Sequence, residues 1–189
     1  MAPIDPHSFT DSSHPLTTHV SLSLYLDFST STIHATSLLT LSSSFSGTLS
    51  LDSRSISITT ILDPKTLSPL PYTVSPNPDP IRGSEIAVVL SGQSQLLLVY
   101  STSPSASALQ WLSPPQTFSK SHPYVYTQCQ AIHARSIFPC QDTPAARIRY
   151  DAVLNVPSSL RRYVCSSRAS QAPVPEEAKH LDASLVRGG

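Results

Sequence analysis

Glycine and charge are both scarce in this chain. Its 189 residues include 5 glycines, 12 Lys+Arg and 12 Asp+Glu, so charged residues make up 13%, against roughly 25% in an average soluble domain. Serine and threonine fill the polar positions instead. Helix surfaces normally carry Glu, Lys and Arg, so the shortage argues against a helical protein and for strands and turns. With so few glycines, turns must lean on the 18 prolines and on Asp, Asn and Ser. The formal net charge is zero. That removes the basic field that holds nucleic acid or an anionic membrane surface, and neither partner is expected. No apolar run approaches the roughly 20 residues that span a bilayer. The opening MAPIDPHSFTDSSHP lacks the basic start and apolar stretch of a signal peptide. Without such a signal, the 3 cysteines read as free thiols in a reducing compartment, and a cytoplasmic location is the expectation.

The pattern that is present has period two. Val20, Leu22, Leu24, Leu26 and Phe28 alternate with Ser21, Ser23, Tyr25 and Asp27, which predicts a strand with one buried face. Residues 33–41, 48–51, 55–61, 86–90 and 95–100 are further short strands by the same reading. Asp63-Pro64, the proline-rich run 75–80 and Ser91-Gly92 are turn signals between them. Ile148, Tyr150, Ala152, Leu154 and Val156 alternate again. The expected fold class is therefore all-β, an antiparallel sheet assembly or sandwich. Residues 1–15 are expected as a disordered lead-in, 16–158 as the β domain, and 159–189, where periodicity fails, as a divergent disordered tail.

Chemistry concentrates in residues 124–145, YVYTQCQAIHARSIFPCQDTPA. Cys129, His133 and Cys140 are zinc-ligand types, but a structural site normally takes four ligands in paired short spacings. The plainer reading is that the cysteines pack as small apolar groups and His133 is hydrogen-bonded. A Cys–His dyad has no further support. None of the His residues at 7, 14, 19, 34, 122, 133 and 180 is followed by Glu, so the zinc-hydrolase pattern H-E-x-x-H is missing from these residues. G-x-S-x-G and the phosphate-binding and dinucleotide fingerprints are missing as well. Catalytic and metal-binding residues are thus expected to be none. Gln128 and Gln130 share parity along an extended segment, which turns both amides to one side. Such a pair can bind a peptide backbone or an amine, or can satisfy backbone groups inside a loop.

A set of longer motifs is more specific. Ser107-Ala108-Leu109-Gln110-Trp111-Leu112, Pro114, Gln116-Thr117, Lys120, His122-Pro123-Tyr124, Gln128-Cys129-Gln130-Ala131-Ile132-His133 and Pro139-Cys140-Gln141-Asp142-Thr143-Pro144 resemble the leukotriene A(4) hydrolase branch of the gluzincin aminopeptidases, peptidase family M1. The resemblance is strong over about 105–157 and weaker over about 16–104; none is seen beyond about 160. It implies a saddle-like N-terminal β domain that covers one side of a zinc-dependent catalytic domain. It also implies that Gln128, Cys129 and Gln130 are substrate-binding, as part of the peptide-binding wall near the substrate's free N-terminus. The Pro-Cys-x-Asp-x-Pro turn is expected to shape the loop. The family's zinc ligands, general base and proton donor lie further along than any residue here, so zinc is expected in the full-length protein and no cofactor in this chain.

The expected function is that of a non-catalytic N-terminal part of such an aminopeptidase, as from a truncated gene product. The parent reaction would be removal of N-terminal residues from peptides, with epoxide hydrolysis as a second activity. The alternative is a stand-alone β-sandwich module that binds peptides or a protein partner. A zinc-activated water needs three protein ligands and a base in one cavity. A protein of these 189 residues alone should therefore release no amino acid from aminoacyl-anilide substrates, with or without added zinc. Chelator-sensitive turnover by a homogeneous preparation would contradict this.

Overall fold

A computed structural model of the chain describes residues 5–157 and 160. Eight strands follow in order: β1 (Thr17–Asp27), β2 (Thr32–Ser53), β3 (Ile56–Leu62), β4 (Tyr72–Val74), β5 (Ser84–Thr102), β6 (Leu109–Leu112), β7 (Tyr124–Thr127) and β8 (Arg149–Asn155). Two 3-10 turns, Pro114–Gln116 and Ala134–Ser136, complete the list. The main sheet runs β3-β5-β2-β1-β8, with β4 added along β5; β6 and β7 form a separate hairpin. The all-β expectation holds, in the form of a mixed sheet. β8 lies parallel to β1, while the other pairs are antiparallel. A parallel neighbour needs a long crossover, and the segment between β5 and β8 supplies it.

The period-two pattern becomes the core directly. On β1, Val20, Leu22, Leu24 and Leu26 are buried. Val20 faces Leu39 on β2, which faces Leu96 on β5; Leu24 faces Ala35, which faces Tyr100. Further along the β2–β5 ribbon, Leu49 meets Val88 and Leu51 meets Ile86. All of these belong to one apolar cluster. Each fully buried Leu, Ile or Val contributes about 1.5–3 kcal/mol.

Two expected boundaries differ. Strands expected at 33–41 and 48–51 are one strand, and so are those at 86–90 and 95–100. The Ser91-Gly92 signal marks a bulge rather than a turn. Phe45 pairs with Gln93 and Ser46 with Ser91, which leaves Gly92 inserted between them at φ +99°. That backbone conformation favours glycine, and a bulge is where an isolated strand glycine belongs. A 22-residue strand is far longer than the usual five or six residues, and the bulge bends it.

Of the lead-in expected at 1–15, residues 5–15 are described, and they make contacts with the sheet. Ser8 and Thr10 are buried. The Arg82 guanidinium sits 4.2 Å from the centre of the Phe9 ring, and His14 lies against Phe45 with ring centroids 4.7 Å apart. The cause is a buried carboxylate, Asp52, that draws its donors from Ser8 and Phe9. Periodicity cannot reveal a partner 44 residues away. Of the tail expected at 159–189, all but Leu160 lies outside the described residues.

The β1–β2 turn is closed by Asp27. Its Oδ1 accepts from Ser29 N at 2.8 Å and from Ser29 Oγ at 2.6 Å. Hydrogen bonds from the Ser29 and Thr30 side chains, then from the Ser29 backbone, pull its pKa down to about 2. A carboxylate held below its unfolded value stabilises the fold above that value and loses the contribution as pH falls through the folded one. Because the group is only partly buried at the surface, solvent screening keeps the effect small. Asp27→Ala should lower Tm at pH 7 by at most about 2–4 °C. The gap to wild type should close as pH falls from the ordinary carboxylate range toward 2. Thermal melts across that range check it; a gap that is constant with pH would contradict it.

Candidate functional site

The β6–β7 hairpin carries the glutamine segment. Its register pairs Leu109 with Thr127, Gln110 with Tyr126, Trp111 with Val125 and Leu112 with Tyr124. Opposed residues share a face, so the two faces can be told apart. Leu109, Trp111 and Val125 pack on the core, and Trp111 meets Phe28 edge-on at 5.1 Å. Tyr124 and Tyr126 point the other way, 53% and 46% exposed, with ring centroids 6.2 Å apart.

β7 ends at Thr127, but the ladder takes one further step: Gln128 N–H donates to the Ala108 carbonyl at 3.0 Å. Gln128 is exposed, Cys129 is half-buried against the core and Gln130 is exposed. The alternation expected from parity is therefore present. Among the described residues, neither glutamine amide has a hydrogen-bond partner within the chain, so neither is spent on a loop backbone. Cys129 differs from its neighbours because its side chain packs inward, and burial raises the pKa of its thiol. The Gln130–Ala131 peptide bond is cis. A turn follows, closed by His133 N–H to the Cys129 carbonyl at 2.9 Å, and leads into the 3-10 turn at Ala134–Ser136.

Beneath this segment lies a buried polar anchor. Arg135 and Asp52 are both 0% exposed. The Arg135 Nε donates to Asp142 Oδ2 at 2.9 Å, one terminal nitrogen to the Arg82 carbonyl at 2.7 Å and the other to the Asp142 carbonyl at 3.1 Å. The same guanidinium reaches Asp52 Oδ1 at 3.4 Å. Asp52 also accepts from Ser8 Oγ at 2.6 Å, Phe9 N at 2.8 Å and Asp142 N at 2.9 Å. Burial pushes the Asp52 carboxyl above the ordinary carboxylate range; these donors and the Arg135 charge oppose the rise. The Pro139–Pro144 turn faces inward too. Cys140 and Asp52 exchange backbone bonds. Gln141 Oε1 accepts from Thr17 N at 2.7 Å, while its Nε2 donates to the Pro15 carbonyl at 3.2 Å. Sequence reasoning missed Asp52 and gave Arg135 no role. The one available signal was an arginine set among Ile132, Ile137 and Phe138.

Cys129, His133 and Cys140 are not gathered into one cluster. Among the described residues, no three His, Cys, Asp or Glu gather to hold an ion. His133 Nδ1 is bonded to Ser107 Oγ at 2.7 Å, and Cys140 is buried with its thiol pKa pushed well up by burial. Neutral buried thiols are poor nucleophiles. What the segment can offer a ligand is hydrogen bonding from its two outward amides.

The anchor's weight can be measured. Removing one partner of a buried ion pair leaves the other charge uncompensated, at a cost of about 3–5 kcal/mol. Arg135→Met should therefore destabilise the fold by that amount in urea titration, a large share of the ~5–15 kcal/mol of a typical domain. A loss below about 1 kcal/mol would mean that the cluster is not the anchor.

Comparison with known proteins adds the family. A model of the Peptidase M1 N-terminal domain matches residues 16–179. The match runs past the boundary expected near 158, so the family likeness does not stop at 160. Leukotriene A-4 hydrolase of Xenopus laevis is 36% identical over 178 residues, covering 87% of this chain and 28% of that protein. Leucine aminopeptidase 2 of Neurospora crassa is 34% identical over 188 residues, covering 96% and 27%. Yeast LTA4 hydrolase in complex with bestatin superposes with a TM-score of 0.75 at 25% identity, over 82% of this chain and 25% of that one. An M1 zinc metallopeptidase of Deinococcus radiodurans, bound to a Tyr-Ser-Ala substrate, shares the fold at 13% identity and a TM-score of 0.55. The chain thus spans about a quarter to a third of the length of these relatives.

Proposed function

The chain belongs to the peptidase M1 family, whose N-terminal domain it carries, and from that premise we propose that it supplies part of the peptide-binding wall of a longer aminopeptidase. The parent activity is removal of N-terminal residues from peptides, with epoxide hydrolysis as a second activity suggested by the resemblance to leukotriene A(4) hydrolases. Gln128 and Gln130 are the contacts, near the free amino group of the substrate. Zinc belongs to the catalytic part of the parent protein. The residues described here give it no ligand set, and no step in this reading passes through it. A cytoplasmic setting fits the cysteine usage; no helix among the described residues is long and apolar enough to cross a membrane.

One observation carries the reading. Gln128 and Gln130 turn outward on either side of Cys129, which packs inward. An amide presents both N–H donors and a carbonyl acceptor, which matches the alternating groups of a peptide backbone. Arg135, the strong donor that follows a few residues later, is by contrast consumed in the anchor around Asp52 and Asp142.

The test belongs in a full-length aminopeptidase carrying this domain. A neutral hydrogen bond to substrate is worth about 0.5–1.5 kcal/mol, and more to a charged amine. Gln130→Ala should lower kcat/KM for peptides several-fold or more. Gln130→Leu, which keeps the bulk, should do similar damage. Gln128→Ala should act alike but more weakly, being one pleat further from the contact. Tm should hardly move, because neither side chain is in the core. The opposite result, a lower Tm with normal turnover by the folded enzyme, would return both glutamines to a structural role.

A further inference from the structure

An amide discriminates between substrates only if the backbone beneath it stays still. Residues 128–133 lie outside both sheets, since β7 stops at Thr127. Their support comes from two consecutive residues before β6. Ser107 Oγ and His133 Nδ1 share a hydrogen bond of 2.7 Å. Ala108 is used at both ends of its peptide unit. Its carbonyl accepts from Gln128 N–H at 3.0 Å, and its N–H donates to Ser136 Oγ at 2.9 Å. Ser136 Oγ in turn donates to the His133 carbonyl at 2.8 Å. His133 N–H returns to the Cys129 carbonyl at 2.9 Å. Gln130 therefore sits between two clamped points, Gln128 on Ala108 and His133 on Ser107.

We propose that Ser107 and His133 are positioning residues for Gln130, holding the turn that aims its amide at the substrate. The inference rests on the reading of Gln130 as a substrate contact. Ala108 acts through its backbone and Ser136 through a buried hydroxyl bonded to two backbone groups, and those bonds also serve the fold. The Ser107–His133 bond is different: it joins two side chains at the surface, at one end of the 130–133 turn. An exposed bond of this kind adds little to stability, whereas a displacement of about 1 Å at a substrate contact costs up to ~100-fold in rate. Its loss should therefore register in turnover before it registers in melting. A hydroxyl can donate or accept, so it holds His133 Nδ1 in either tautomer. Threonine at 107 keeps that capacity and alanine removes it.

The experiment is a double-mutant cycle in a full-length aminopeptidase carrying this domain, with kcat/KM for peptide substrates and Tm read on every variant. Ser107→Ala is expected to lower kcat/KM by about 3–10-fold with Tm unchanged, and Ser107→Thr to restore it. His133→Phe should match Ser107→Ala; His133→Asn, which keeps a polar atom near the Nδ1 position, should be milder. In a Gln130→Ala background, Ser107→Ala should add nothing, because the amide it positions is gone. Independent, multiplying losses at 107 and 130 would overturn the proposal, as would a fall in Tm with normal turnover. A silent Ser107→Ala beside a damaging Gln130→Ala overturns the positioning role alone. A silent Gln130→Ala overturns the reading of the glutamines and this inference with it.

Discussion

The burial of Asp52 at the end of β2 is the constraint on which the loops depend. A carboxylate removed from water must find donors or give up its charge. Its donors come from residues far apart in sequence: Ser8 and Phe9 near the start, Arg135 beside the second 3-10 turn, and the Asp142 backbone in the proline-flanked turn. Satisfying one group thus draws three separate stretches to one edge of the sheet. The net energy of such a pair is modest, because desolvation offsets most of the attraction. Its effect here is positional: with Arg135 also bound to the Arg82 and Asp142 carbonyls, alternative arrangements of these loops would leave buried groups unpaired.

The run 124–145 divides its polar residues between two tasks. Arg135 and Gln141 turn inward and are hydrogen-bonded to distant backbone at Arg82 and Pro15, while the Asp142 carboxylate accepts from Arg135. Gln128 and Gln130 turn outward. The peptide-binding wall proposed above needs an outward face of this kind on a base that does not yield. The inward group supplies the base through the 3-10 turn that follows His133. Packing of Val125 and Cys129 against the core fixes which way the glutamines point.

The sheet sets the scale on which this happens. β2 and β5 pair along nearly their whole length, and the bulge at Gly92 lets them curve without breaking the ladder. The short β6–β7 hairpin closes over one end of the core through Leu109, Trp111 and Val125. The glutamine segment is therefore carried by regular structure at its start and by turns at its end.

Much of this was legible in the residues themselves. Alternation at 20–28 and 148–156 located β1 and β8, because period two is a local property of an extended chain with one wet face. The outward parity of Gln128 and Gln130 was legible for the same reason, and the motifs of 107–144 pointed to the family. The strand merging at Ser91-Gly92 was not legible, since a glycine that makes a bulge and one that makes a turn look alike without the opposing strand. Nor were the parallel placement of β8 on β1, the docking of residues 5–15 and the Ser107–His133 clamp. Each depends on a partner 26 to 130 residues away. Sequence determines which side chains are available and which way a strand turns them; the tertiary fold decides which become partners, because burial makes an unpaired polar group too costly to leave.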